Sequence, residues 1–422
     1  MEILLRSARI IDTGSPFHNQ VKDILISDGL IKKIGHKLAG SSKAKEVKAD
    51  NLHVSIGWMD LNTFLADPGF EYKETIRSGC RAAAAGGYTH ICCMPNTNPV
   101  IQSKSQIEYV LQKSAGEAVS VWPIGAMTQD AKGKDLAEMY DMFGAGAVAF
   151  GDGMVPGAAA GVVERALLYV KAFNGLIMIH PEDKSISGNG VMNEGVVSTR
   201  LGLPGMPALA EEVAVSRDLY LLEYTESKLH FLNISLKKSV DLIRAAKKRK
   251  LKVTASVNAH HLILDDSAVG DYDTNMKINP PLRATENIAG LVKGILDGTI
   301  DTITSAHQPQ DEESKKLEFD KADFGMIGLE TCYAIANTQL NKPLGIDKLI
   351  ELFTANPRKV LGMAVPVIKE GAKADMTLFD PNKKWKFAAK DIRSLSKNTP
   401  FVGTEFTGKV IGIIHKNQLE TN

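Results

Sequence analysis

Apolar and polar positions change rhythm twice along this chain. Near the N-terminus the pattern is that of short strands, over Ile3–Ile10, Asp23–Ser27 and Leu30–Ile34, with Asp28-Gly29 as the turn between the last two. The C-terminal end reads alike: Asp375–Phe379 and Lys409–Ile414 are β-rich, and a polar turn is expected around Asp380-Pro381. Between the two ends, eight apolar, β-branched or aromatic segments recur at 54–61, 88–94, 119–126, 147–151, 176–180, 228–235, 252–262 and 302–306. Most are followed by helical periodicity, as in Ser103–Lys113, Ala159–Ala172, Ala208–Tyr224, Ser235–Lys247, Ala284–Leu296 and Met326–Asn337. Such alternation predicts an α/β fold with parallel strands and right-handed crossovers, a (β/α)8 TIM-type barrel. An open doubly wound sheet competes, but no Gly-rich phosphate fingerprint follows the first strand. The terminal β segments are too small to fold alone. They are therefore expected to pair as a small β-sandwich-like domain from 1–55 and 365–422, flanking a barrel over 56–364.

Composition narrows the class of partner. The 422 residues are 44% hydrophobic and 23% charged, ordinary for a globular chain. Lys+Arg 50 against Asp+Glu 49 gives no bulk attraction to nucleic acid or an anionic membrane. A small neutral-to-anionic ligand or another protein fits better. The four cysteines, Cys80, Cys92, Cys93 and Cys332, are too few for a disulfide framework and read as buried reduced thiols. With no apolar leader and no membrane-length stretch in sight, a cytoplasmic protein is expected.

In such a barrel, chemistry sits at the C-terminal ends of the strands. Histidines occur there at His180, His230, His261 and His307, a residue type that ligates metals. No His-x-His or His-Glu-x-x-His spacing brings two of them onto one ion, so a satisfied polar residue is the simpler reading of each. Asn96 and Asn279 lie in Pro-containing turns, Met94-Pro95-Asn96-Thr97 and Ile278-Asn279-Pro280-Pro281. Turn chemistry explains such residues, as would contact with a planar polar ligand.

Several runs resemble the bacterial class I dihydroorotases of the amidohydrolase superfamily. They are Pro68-Gly69-Phe70-Glu71-Tyr72-Lys73-Glu74, Ala82–Gly87, Met94-Pro95-Asn96-Thr97-Asn98-Pro99-Val100, Asn193-Glu194-Gly195 and Ala208-Leu209-Ala210-Glu211-Glu212. Asn279-Pro280-Pro281-Leu282-Arg283, Gly328-Leu329-Glu330-Thr331, Phe353-Thr354-Ala355-Asn356-Pro357 and Asn398-Thr399-Pro400-Phe401 continue the series in the family's order. The resemblance covers essentially the whole chain. It implies a metal-dependent barrel that interconverts N-carbamoyl-aspartate and dihydroorotate in pyrimidine biosynthesis.

The active site does not carry over. Where the family has His-x-His-x-Arg after strand 1, this chain has Asn62, Phe64 and Ala66. The family's bridging aspartate after strand 4 falls on Gly153, and its strand 6 histidine on Asn233. The strand 8 aspartate, a metal ligand and general acid/base, falls on Ala306 within Ala306-His307-Gln308-Pro309-Gln310. Of the metal positions only His180 is retained; Asn96 and Asn279 match substrate contacts. A metal lowers the pKa of bound water from about 15.7 toward about 7. Without it, and without the aspartate, neither nucleophile nor proton shuttle is expected.

These departures predict a catalytically silent homologue with no cofactor, or at most one weakly held zinc. Through the family, aspartate transcarbamoylase is the expected partner of a structural or regulatory chain, and a homo-oligomer is expected. Two alternatives remain open at this level. One is a cyclic-amide hydrolase of dihydroorotase, allantoinase or hydantoinase type, with one metal on His180, His230, His261 and His307. The other is a ureide sensor built on Asn96 and Asn279.

Overall fold

The structure, a computed structural model, describes all 422 residues. Eight parallel strands follow one another around a barrel: Trp58–Thr63, Tyr88–Cys93, Ser120–Gly125, Ala149–Phe150, Ile177–Ile179, Leu229–Phe231, Val253–Asn258 and Thr302–Thr304. A parallel bridge between Thr63 and His307 joins the first strand to the segment after the eighth. Asp60 reinforces that seam: its buried carboxylate accepts from Ser305 N and Ser305 Oγ, both at 2.8 Å. The expected barrel is therefore present, although the segment 252–262 divides. Its last four residues, Ala259–Leu262, are a 3-10 turn.

Both chain ends contribute to a single eight-stranded sheet beside the barrel. His53–Ile56 pairs antiparallel with Met376–Phe379, which stitches the N-terminal half to the C-terminal half. At Asp380-Pro381 the chain does not reverse: Asn382 N donates to Asp380 Oδ1 (2.9 Å), but only as a local irregularity within a strand. The strand runs on from Met376 to Lys386 with a register shift between Asp380 and Lys384, because the partner Glu405–His415 offers pairing along its length.

The predicted segment 54–61 spans two bodies, and Gly57 is the crossing point. A Cβ there would lie 1.9 Å from Thr89 Oγ1 and 2.0 Å from Asp375 Oδ1, so no larger residue fits. Arg358 clamps the same junction, donating to Gly57 O (2.8 Å) and pairing with Asp375 (3.1 Å). Trp58, fully buried, stacks within 4.5 to 5.5 Å of Tyr333, Phe353 and Phe379, from the C-terminal helical segments and the flanking sheet.

Helices form where apolar residues repeat at helical spacing. In Lys237–Lys248 the buried positions are Ser239, Val240, Ile243 and Ala246, one stripe facing the barrel. Ile76–Ala85 starts at a reciprocal capping box: Ser78 N donates to Thr75 Oγ1, and Thr75 N to Ser78 Oγ, both at 3.0 Å. The helix expected over Met326–Asn337 begins later, at Cys332, and runs to Leu344. Tertiary bonds claim the residues before it. Met326 bridges to His307, and the amides of Gly328 and Leu329 donate to His307 Nδ1 at 3.3 and 3.5 Å.

Candidate functional site

The C-terminal mouth of the barrel collects the residues singled out from sequence, but not in the arrangement a hydrolytic site needs. Asn62 ends the first strand and Asn233 follows the sixth; both are buried. Asn62 Nδ2 donates directly to Asn233 Oδ1 at 2.7 Å. Asn233 Nδ2 in turn lies 3.2 Å from Met154 Sδ. Two side chains from distant strands thus meet across the mouth without anything between them.

Phe64 belongs to an apolar cluster inside the barrel with Met59, Leu61, Met94, Met178 and Leu232. Gly153 has φ +61, and a Cβ on it would fall 1.7 Å from Asn96 Oδ1. Asn96 holds that space because it is tied to the same loop: its Nδ2 donates to Asp152 O (3.0 Å), and Met154 N donates to its Oδ1 (3.3 Å). Asp152 caps elsewhere, accepting from Thr128 N and Thr128 Oγ1. Ala66, Asn233 and Ala306 all sit at positive φ, from 46 to 57°, so a backbone conformation unusual for non-glycine residues is kept at three of these positions.

His180 and Asn279 share one partner that sequence reasoning missed. Glu182 Oε2 accepts from His180 Nε2 at 3.3 Å and from Asn279 Nδ2 at 2.7 Å, while Ser187 Oγ donates to Glu182 Oε1. Burial would raise the Glu182 carboxyl, but His180, Asn279 and Ser187 together bring it down to about 2. The only sequence signal was an acid two residues beyond His180. Nothing in the spacing shows that it reaches Asn279.

The four histidines do not converge. His230 Nδ1 shares a hydrogen bond with Thr254 Oγ1 (2.8 Å), His261 Nε2 donates to Pro281 O (3.2 Å), and His307 Nε2 points at Glu74 Oε2 from 3.4 Å. Burial lowers His230 to about 3 and His261 to about 4, so both rings are neutral at ordinary pH. Only one set of three ligand-type side chains has its atoms within 4.8 Å of one another, and it lies elsewhere: His90, Asp375 and His415, where the second barrel strand meets the flanking sheet. There Trp122 Nε1 donates to His90 Nδ1 (3.1 Å), which puts the ring proton on Nε2, aimed at Asp375 Oδ2 2.9 Å away. With Arg358 also on that carboxylate, the group is a buried ion cluster. A single metal shared by His180, His230, His261 and His307, one of the sequence-level alternatives, has no geometric support.

With this geometry in view, kinship can be stated. A protein named dihydroorotase from a Geobacter species is 40% identical over 421 residues, covering 99% of each chain. The dihydroorotase of Caldanaerobacter subterraneus subsp. tengcongensis is 41% identical, covering 99% of this chain and 97% of its own. The chain belongs to the dihydroorotase family. The family description "Dihydro-orotase-like" matches residues 53–239. Among solved structures, the L-hydantoinase (dihydropyrimidinase) from Arthrobacter aurescens superposes with a TM-score of 0.84 at 22% identity, covering 99% of this chain and 95% of that one, which shows a shared fold. Dihydroorotase-family membership links the chain to pyrimidine biosynthesis.

Proposed function

We propose that this dihydroorotase-family chain is non-catalytic and serves as a structural or regulatory partner of aspartate transcarbamoylase. The 2.7 Å amide–amide bond between Asn62 and Asn233 carries the reading. By the family resemblance those positions are histidine ligands from the first and sixth strands, and two neutral amides turned onto each other offer an ion far weaker donors than two imidazoles. The other residues do not fit a binuclear metal centre either. Phe64 offers no donor atom, Ala306 no carboxylate, and the space beside Gly153 is taken by Asn96. Restoring one residue would leave the others unsuited.

The test is turnover of dihydroorotate and of N-carbamoyl-aspartate by the purified chain, before and after incubation with zinc, beside a measured metal content. No turnover above the uncatalysed rate and substoichiometric zinc are expected. Zinc-dependent turnover would overturn the proposal. The partner is tested separately by co-purification with aspartate transcarbamoylase. Failure to associate removes that partner and leaves the silent site standing.

One observation favours a second reading, a sensor that holds a cyclic ureide without opening it. Asn62 Oδ1, His180 Nδ1, His261 Nδ1 and Asn279 Oδ1 are buried near the mouth without hydrogen-bond partners. Such atoms call for an occupant. A ligand at 100 times its Kd stabilises the fold by about 2.7 kcal/mol, so a thermal shift with dihydroorotate, absent in Asn279→Ala, distinguishes the sensor from an inert mouth.

A further inference from the structure

A second cavity lies at the opposite end of the barrel, among the loops that precede the fourth to seventh strands. Its volume is about 240 Å³. Phe143, Leu176 and Leu361 supply apolar wall, and Lys228, Lys252 and Lys359 line it too. No carboxylate lines it at all.

Two features set it apart from ordinary surface. Lys228 and Lys359 form no ion pair with any acid, while Lys252 Nζ donates only to the carbonyl of Glu226 (3.2 Å). Three lysines around one concavity with no acid in its lining give it a positive rim, which favours an anion. The wall is also incompletely covered. Phe143 is 43% exposed, held in place by its stack on Phe173 at 4.9 Å between ring centroids. An exposed aromatic beside unpaired cations in a hollow is the composition of a ligand pocket: apolar body below, a few polar groups to orient. The volume is near the lower end of known ligand pockets, roughly 300 Å³, and suits one ring with one charged substituent. Lys359 also stands in the last turn of Ala355–Val360, but a helix end explains that cation and not Lys228 and Lys252, from the loops before the sixth and seventh strands.

We propose that this cavity at the N-terminal face of the barrel, walled by Phe143, Leu176 and Leu361 and rimmed by Lys228, Lys252 and Lys359, binds a small ring-bearing organic anion such as an aromatic carboxylate. The binding is non-covalent. It is independent of the mouth at the other end, whose residues it does not use.

Calorimetric titration of the full chain with benzoate tests it, with neutral benzamide and inorganic phosphate as controls. Benzoate is expected to bind at least about tenfold more tightly than either control, equivalent to about 1.4 kcal/mol. The double variant Lys228→Ala/Lys359→Ala is expected to weaken benzoate by about tenfold or more while the thermal midpoint of the free protein stays put, as these side chains pair with nothing. Phe143→Ala should weaken benzoate with its lysines intact. No benzoate binding up to about 10 mM overturns the proposal. So does binding that the lysine variant leaves unchanged, and so does phosphate binding as tightly as benzoate, which would make the apolar wall irrelevant.

Discussion

At the scale of single residues, the mouth pairs neutral amides across the barrel, with Glu182 as the ionised group beside His180 and Asn279. Asn62 and Asn233 are each buried, so removing Asn233 leaves Asn62 Nδ2 without an acceptor. Asn233→Ala is expected to cost about 1–3 kcal/mol in urea unfolding. An unchanged midpoint would mean that the 2.7 Å bond contributes nothing. Gly153→Asp, the substitution that restores the family's carboxylate, meets Asn96 at 1.7 Å and a φ of +61. It is expected to lower the thermal midpoint without creating zinc affinity. Stoichiometric zinc in that variant would show that the loop opens more easily than its hydrogen bonds indicate. Glu182 behaves differently because it is ionised. Its pKa of about 2 lies below the roughly 4.3 of an unfolded glutamate, so its contribution is complete above about pH 4.3 and lost as pH falls through about 2. Glu182→Gln should abolish that part of the acid limb.

At the scale of elements, local signals and long-range bonds divide the work. The capping box at Thr75 and Ser78 is local, and Thr75→Ala is expected to cost about 1 kcal/mol, read from the urea midpoint. The Lys237–Lys248 helix was legible because its buried stripe repeats along the sequence. Cys332–Leu344 was placed six residues early because the bonds from His307 to Gly328 and Leu329 hold the preceding segment out of the helix. No local pattern encodes those bonds. Likewise Asp380-Pro381 carries turn chemistry, yet pairing with Glu405–His415 carries the strand past it.

At the scale of the molecule, the barrel and its flanking sheet meet at Gly57, Arg358 and Asp375. Arg358→Ala removes one buried partner of Asp375, which keeps His90, and frees Gly57 O, and is expected to destabilise by about 1–3 kcal/mol. A change below 1 kcal/mol would show that the junction is held by the aromatic cluster around Trp58 instead. Buried histidines set a global pH response. His230 and His261 titrate at about 3 and 4 in the fold against about 6.5 unfolded, so the unfolded chain binds more protons below about pH 6.5. Stability should fall from there toward about pH 4, by up to about 1.4 kcal/mol per pH unit for each ring. A urea midpoint that stays flat between those limits would contradict this, and His230→Gln should lessen the slope.

The sequence by itself determined the barrel, the pairing of the two chain ends and most of the residues at the mouth, Glu182 excepted. Strand–helix alternation is a local property repeated many times, and the residue types at the strand ends are simply read. Only the tertiary structure decided what those residues do to one another. Asn62 and Asn233 are 171 positions apart, and Glu182 and Asn279 are 97 apart. Whether such groups bond depends on the curvature that brings strand ends together, which no spacing along the chain expresses. The same holds for the four histidines. Their chemistry was visible as a possible ligand set, and their separation follows from partners each finds in its own strand neighbourhood.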